Sequence, residues 1–269
     1  MTPESPSEHW SRRGAAPFDE VAELYDAVRP RYPEVLFTEL VFAGRLQPDA
    51  RLLEIAPGTG QATLPLARRG YHITAVELGA NMARVAQANL KDYPQVEIIN
   101  ASFEEADLPL GGFDLVYAAS ALHWIAPAAR FAKPHAHLKK AGQLAVIRRN
   151  KVSDEKGDLF AKASRSIYQR YQRDTASANA LAPRRRFEVM PQPIDRVLFE
   201  LSYFKTFPVV MRYSAGDYVS LLNTSSSTIL MPPEARASFL GDIRQLINER
   251  FDGEVVQHYA MSLLVARKK

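Results

Sequence analysis

Two acids, two glycines and one histidine stand at spacings that could do chemistry in this chain. The run Glu54-Ile-Ala-Pro-Gly58-Thr-Gly60 follows an apolar strand-like stretch (residues 51–56) and precedes a helix-like one (residues 61–69). Glycines at such a turn let the backbone approach a ligand without a side-chain clash. In an open α/β sheet, ligands bind outside the carboxyl ends of the strands. Glu77 closes the next apolar run, HITAVE, where a carboxylate can accept hydrogen bonds from a vicinal diol such as a ribose. His123 lies in Ala121-Leu-His123-Trp124-Ile125 after the fourth strand-like run. An imidazole there can accept a proton or orient a substrate. Trp124 beside it can form an apolar wall.

Two cofactor classes use a strand–Gly-rich turn–helix. A dinucleotide site requires G-x-G-x-x-G, with the pyrophosphate on the helix N-terminus. Here Ala56, Gly58 and Gly60 are spaced by two, Thr63 stands where a third glycine belongs, and Glu54 would repel a pyrophosphate. S-adenosylmethionine (SAM) has no phosphate and carries an ammonium and a sulfonium, for which a nearby acid is favourable. The charge pattern favours SAM over NAD, although Glu77 by itself suits either.

Short apolar runs at residues 51–56, 72–77, 96–100, 113–118 and 143–148 alternate with helix-like segments at 61–69, 80–91 and 127–140. Near-continuous apolar strands joined through helices predict a parallel sheet covered on both faces. The fold expected is α/β, a Rossmann-like doubly wound sheet. Before it, Phe18, Val21, Leu24 and Val28 fall at helical spacing, and a second helix is predicted over residues 33–46. After Asn150 the rhythm breaks. Residues 151–195 read as helix and loop, 197–213 as strand, 215–223 and 233–251 as helices, and 255–267 as a final strand. This divides the chain into a loose tail (1–16), a cofactor-binding core with N-terminal helices (17–150), a lid or substrate region (151–230) and a C-terminal helix and strand that complete the core (231–269).

The stretch LLEIAPGTGQATLPLARRGYHITAVELGANM resembles the first two motifs of class I SAM-dependent methyltransferases, and the likeness continues through VEIINASFEEADLPLGGFDLVYAASALHWI. The chain is similar to the broad small-molecule group that includes trans-aconitate methyltransferases. Tyr25-Asp-Ala-Val-Arg29-Pro-Arg-Tyr32-Pro33 resembles an N-terminal element common in that group. The last strand resembles the family's antiparallel seventh strand, which implies six parallel strands and one reversed. Ala56 departs from the usual glycine. The resemblance implies SAM as cofactor and S-adenosylhomocysteine as product. It implies that Ala56, Gly58 and Gly60 line the methionine part, with Gln61 beside them. Glu77 would hold the ribose, Leu78 and Met82 would flank the adenine, and Ser102 and Phe103 would meet its edge. Tyr25 and Arg29 would close over the cofactor carboxylate.

With Glu54 near the cationic part of SAM, the expected reaction is methyl transfer to a small molecule, with a carboxylate or other acidic metabolite as the candidate acceptor. His123 is the candidate base or orienting group, and Tyr32, Trp124 and Arg148 are candidate substrate contacts. Arginines at 148, 149, 165, 184–186 and 212 suit an acidic substrate, whereas tyrosines 168, 171 and 203 with Phe204 suit an apolar one. A SAM-binding protein without catalysis and an RNA or protein methyltransferase are the alternatives. The composition, 46% hydrophobic and 24% charged, is that of a globular protein. The absence of cysteine excludes disulfides and thiolate metal sites, and no His/Asp/Glu spacing suggests a metal. The N-terminal residues contain no apolar run that would serve as a secretory signal, and no stretch is long enough to span a membrane. A cytoplasmic protein, monomer or homodimer, is expected. The net charge of +4 comes from 34 basic and 30 acidic residues spread along the chain, which does not suggest nucleic acid.

Overall fold

The apolar runs pair into one seven-stranded sheet in the order β3-β2-β1-β4-β5-β7-β6. The computed structural model describes residues 17–152, 159–171 and 191–269; the expected tail and Arg184 to Arg186 lie outside these. The strands are β1 (Arg51–Ile55), β2 (His72–Glu77), β3 (Val96–Asn100), β4 (Phe113–Ala119), β5 (Leu138–Val152), β6 (Phe199–Ser214) and β7 (Glu254–Lys268). β1 pairs in parallel with β2 and β4, β2 with β3, and β4 with β5. β7 runs antiparallel to both β5 and β6, so six strands share one direction and β7 alone is reversed, as the resemblance implied. The chain moves outward from β1 to β3 and returns to β4 on the other side of β1. That reversal opens a crevice above the carboxyl ends of β1 and β4.

Side chains alternate between the two faces. Leu52, Leu115, Tyr117, Ala145 and Ile147 pack on one face with Leu36, Phe37 and Leu40 of α2 (Glu34–Ala43). Leu53, Ile55, Val116, Leu144 and Val146 pack on the other. α1 (Ala22–Val28) and α4 (Ala80–Asn89) share a smaller cluster of Ala22, Met82 and Val85 with Phe18 and Tyr25. α6 (Leu159–Arg170), α7 (Ala215–Leu222) and α9 (Pro233–Arg250) form a third core with Phe160, Ile167, Tyr218, Phe239 and Ile243. The remaining helices are α3 (Thr63–Ala67), α5 (Ala132–His137) and α8 (Ser226–Ile229).

Two helices are shorter than expected. α3 starts at Thr63, not 61, because Ala56, Gly58 and Gly60 all take positive φ and keep the turn open until then. The segment predicted as one helix over 127–140 is a turn over residues 127–131 followed by α5, and β5 already begins at Leu138. Buried Leu138 pairs with Phe113, and the register shifts before Leu115. Gly142 belongs to this irregularity: a Cβ there would stand 3.1 Å from the Phe113 carbonyl oxygen. It marks a close approach of strands.

Gly60 combines φ +85° with a space closed by Leu90, whose Cδ1 would lie 3.1 Å from an added Cβ. Gly60→Ala is expected to destabilise the fold by about 1–2 kcal/mol, the cost of holding an L-residue in the left-handed region. A lower urea midpoint at unchanged slope would show it; an unchanged midpoint would contradict it.

Candidate active site

The loops that leave the carboxyl ends of β1, β2, β3 and β4 surround a cavity of about 370 Å³. Its first wall is the turn after β1, formed by Ala56, Pro57, Gly58, Gln61 and Ala62. Gly58 has φ +61°, and a Cβ there would meet no protein atom within 4 Å. Ala56 adopts φ +50° despite its methyl group, a conformation that disfavours any residue but glycine.

Glu77 ends β2 on the cavity wall and is nearly fully buried. Its Oε2 accepts from the Gly58 N–H and its Oε1 from the Gly79 N–H, both at 2.9 Å. One carboxylate thus joins the two loops, and each oxygen keeps a further lone pair. Burial pushes this carboxyl up to about 7, against the pull of the Gly79 and Gly58 bonds. Asp19, before α1, packs over the same corner. Its Oδ1 accepts from the Met82 N–H at 2.9 Å and so caps α4 from a distant part of the chain. A Cβ at Gly79 would lie 2.5 Å from that oxygen.

Leu78, Met82, Val76 and Phe103 give this end of the cavity an apolar surface, with Ser102 and Glu104 at its edge. The Glu104 carboxylate is fixed by the Ser102 hydroxyl at 2.8 Å and the Ala126 N–H at 2.9 Å. At the other end stand Tyr25, Arg29, Tyr32, Ser120 and Arg149. Tyr32 and Ser120 share a hydrogen bond of 3.0 Å, and burial pushes the Tyr32 phenol up to about 12, so it is neutral at pH 7. Arg29 lies 4.7 Å over the Tyr25 ring. Neither Arg29 nor Arg149 has a carboxylate ion-pair partner among the described residues. His123, Trp124 and Phe18 close the rim. The imidazole and indole centroids are 4.7 Å apart, and Phe18 meets Trp124 edge-on. Partial burial, together with Arg148 and Arg130, holds the His123 imidazole below its usual value, so it is neutral at pH 7.

Of the residues expected to bind cofactor, Tyr25, Arg29, Ala56, Gly58, Gln61, Glu77, Leu78, Met82, Ser102 and Phe103 all line this cavity. Glu54 and Gly60 do not. Glu54 pairs across the sheet with Tyr117. Its Oε2 accepts from the Tyr117 and Thr63 hydroxyls, each at 2.6 Å, in a fully buried position behind the turn. Burial raises its carboxyl to about 7. It can act on a cationic ligand only through space. Gly60 serves the packing against Leu90 described above. Of the substrate candidates, Tyr32 and Trp124 are on the wall and Arg148 is not. Side chains alternate along β5, so Arg149 shares the face of Ile147 while Arg148 is exposed on the other. Phe18, Glu104, Ser120, Ser225 and Ser226 were not singled out as site residues. Ser225 and Ser226 come from beyond β6, and nothing local in their sequence marks them.

The family described as "Methyltransferase domain" matches residues 53–146, which hold the β1 turn, Glu77, Ser102, Phe103 and His123. This match, together with the relatives below, supports a class I SAM-dependent methyltransferase. It is 28% identical over 231 residues to the trans-aconitate 2-methyltransferase of Deinococcus radiodurans, covering 80% of this chain and 85% of that one. It is 38% identical over 115 residues to the malonyl-[acyl-carrier protein] O-methyltransferase of Geobacter sulfurreducens; the match covers 42% of this chain and spans 41% of that protein's length. A putative type II methyltransferase from Anaeromyxobacter dehalogenans shares the fold with a TM-score of 0.59 at 20% identity, over 89% of this chain and 97% of that one.

The methyltransferase cavity has groups that match the parts of SAM. Glu77 offers acceptors for a diol, and Leu78, Met82 and Phe103 offer apolar surface for a planar base. The buried Gln61 Nε2, on the cavity wall, has no hydrogen-bond partner among the described residues. Among the described residues no group of three or more His, Cys, Asp or Glu could hold a metal, and no helix is long and apolar enough to cross a membrane.

The raised Glu77 carboxyl has a consequence for binding. Ribose hydroxyls donate to the ionised form, so binding favours deprotonation. Affinity for S-adenosylhomocysteine is expected to be constant above about pH 8 and to weaken as pH falls through 7. Calorimetry at pH 6 in buffers of different protonation enthalpy should read release of roughly one proton per ligand, and none at pH 8.5. Equal proton counts at both pH values would show that Glu77 is already ionised in the free protein.

Proposed function

We propose that the chain binds SAM in this cavity and transfers its methyl group to a small anionic acceptor. One observation carries the reading. A single cavity joins a wall suited to an adenosyl group, at Glu77, Leu78 and Phe103, to an end where Arg149 stands without a carboxylate partner. Arg149 lies about 6.0 Å from the Tyr259 ring, which leaves its fork available for an anion. Bound SAM would supply a methyl group already activated on a sulfonium. The acceptor's lone pair forms the new bond to that carbon as the carbon–sulfur bond breaks and a neutral thioether leaves. The chain's part is alignment and exclusion of water.

In this reading Glu77 holds the ribose, Gln61 and Arg29 meet the amino-acid end of the cofactor, and Leu78, Met82, Ser102 and Phe103 meet the base. Arg149 binds the acceptor's charge, and Tyr32 and Trp124 shape its pocket. His123, neutral at pH 7, accepts a proton when the attacking group carries one; a carboxylate acceptor requires no base. Of the described residues between 151 and 230, Ser225 and Ser226 reach the cavity and stand on the acceptor side. The kinship to a trans-aconitate methyltransferase is consistent with an acidic acceptor but does not name it.

The test is a titration of SAM, S-adenosylhomocysteine and NAD, followed by a screen of small carboxylic, phosphoric and neutral acceptors for release of S-adenosylhomocysteine. Micromolar binding of the first two ligands but not NAD, with turnover confined to anionic acceptors, is the expected result. Binding without turnover on any acceptor would favour a SAM-binding protein that is not an enzyme. No binding by folded protein would overturn the assignment.

A further inference from the structure

The guanidinium of Arg29 is on the cavity wall, yet its donors do not all face the cavity. Nε donates to the Thr224 hydroxyl at 2.8 Å, and Nη2 donates to the Thr224 carbonyl oxygen. Thr224 is fully buried, lies 195 positions away in sequence and does not line the cavity itself. It forms the turn between α7 and α8: its hydroxyl donates to the Leu221 carbonyl at 2.8 Å, and the Ser225 hydroxyl bonds Leu222 O and Thr228 Oγ1. The next two residues, Ser225 and Ser226, are cavity wall.

We propose that Thr224 is a positioning residue: through it, Arg29 ties the acceptor wall at Ser225 and Ser226 to the cofactor end of the cavity. The argument rests on the SAM reading above. Arg29 is stacked on Tyr25, largely withdrawn from water and without a carboxylate partner among the described residues. A guanidinium has five donors in a fixed fork. Two are committed to Thr224, so others remain for an anion, and the carboxylate of the cofactor supplies one. An anion on the same fork fixes the plane of the guanidinium. That fixes Thr224, because its hydroxyl and its carbonyl both accept from the same guanidinium. Cofactor binding therefore orders the turn that carries Ser225 and Ser226, and the acceptor meets a wall already set. A coupling of this kind needs an element that both sites bias, and here that element is the α7–α8 turn.

The experiment is hydrogen exchange on the full chain with and without saturating S-adenosylhomocysteine, comparing residues 221–231 with residues 77–90, which carry Glu77 and Met82. Exchange across 221–231 is expected to slow about tenfold on binding in the native chain and in Thr224→Ser, which keeps the hydroxyl. In Thr224→Val the slowing should fall below about twofold while residues 77–90 remain protected. Arg29→Lys, which lacks the fork, should lose the effect in the same way and serves if the valine variant does not fold. Protection of 77–90 without any change at 221–231 in the native chain would overturn the proposal. So would full slowing in both Thr224→Val and Arg29→Lys. Failure of S-adenosylhomocysteine to bind at all is a separate result, read by calorimetry, and would overturn the cofactor assignment on which the proposal stands.

Discussion

Glu77→Ala is expected to weaken binding of S-adenosylhomocysteine by about a hundredfold or more, since it removes two charge-assisted bonds of roughly 1.5–3 kcal/mol each. The carboxylate also accepts from the Gly58 and Gly79 N–H groups, so its loss releases the turn after β1 and the turn after β2 together. Glu77→Gln separates these contributions. The amide keeps the shape and one acceptor oxygen, but it sets an NH2 group against one of the two backbone donors. Its affinity should fall between those of the native chain and the alanine variant. Calorimetry reads both, with circular dichroism to confirm the fold. The stability effect has its own sign. Because burial raises this carboxyl to about 7, its contribution to folding is most favourable below the unfolded value near 4.5 and declines as pH rises through 7. Near neutrality Glu77→Gln should therefore cost little stability while costing much affinity. A variant that bound as tightly as the native chain would remove Glu77 from the cofactor site.

The second large effect is expected at Arg149. Arg149→Ala should lower methyl transfer to an anionic acceptor by about a hundredfold, the order seen when one partner of a desolvated charge pair is truncated. Its binding of S-adenosylhomocysteine should change by no more than a few-fold, because the adenosyl-type wall is at the other end of the cavity. Arg148→Ala, one residue earlier, should leave both quantities within about twofold, since its side chain is exposed on the opposite face of β5. The acceptors identified by the turnover screen are the substrates for this comparison. Equal losses at the two arginines would point to a general field of positive charge and not to a built contact.

The position of Ala56 bears on both effects. Its φ of +50° puts a methyl group where glycine is the unstrained choice. The turn nevertheless keeps its backbone bond from the Ala56 N–H to the Val76 carbonyl at 2.9 Å. The departure from the family's glycine has been absorbed as local strain, with Ala56 still on the cavity wall.

Much of the architecture follows from local sequence. Apolar runs of five or six residues, three of them followed by a turn and a helix-like segment, allow few arrangements other than a covered parallel sheet, and β1 to β4 begin where the runs begin. The Gly58 turn and Glu77 were legible because they sit at strand ends, where the fold places ligands whatever the rest of the chain does. The acid that opens the motif was legible as a residue but not as a role. Only the register of β1 with β4 sets Glu54 against Tyr117, behind the turn and off the cavity wall. The length of β5 was also hidden, because residues 138–142 resemble a helix end in isolation and join the strand through the pairing of Leu138 with Phe113 of β4. The choice between Arg148 and Arg149 depends on strand parity across that pairing. Ser225 and Ser226 reach the cavity from the turn whose Thr224 accepts from Arg29, a contact that spans most of the chain. Sequence by itself determined the sheet and the cofactor end of the site, because those depend on neighbours along the chain. The proposed acceptor end was decided by tertiary structure, because its residues come from the segment after α1, the ends of β4 and β5 and the turn between α7 and α8, and meet only when the sheet has closed.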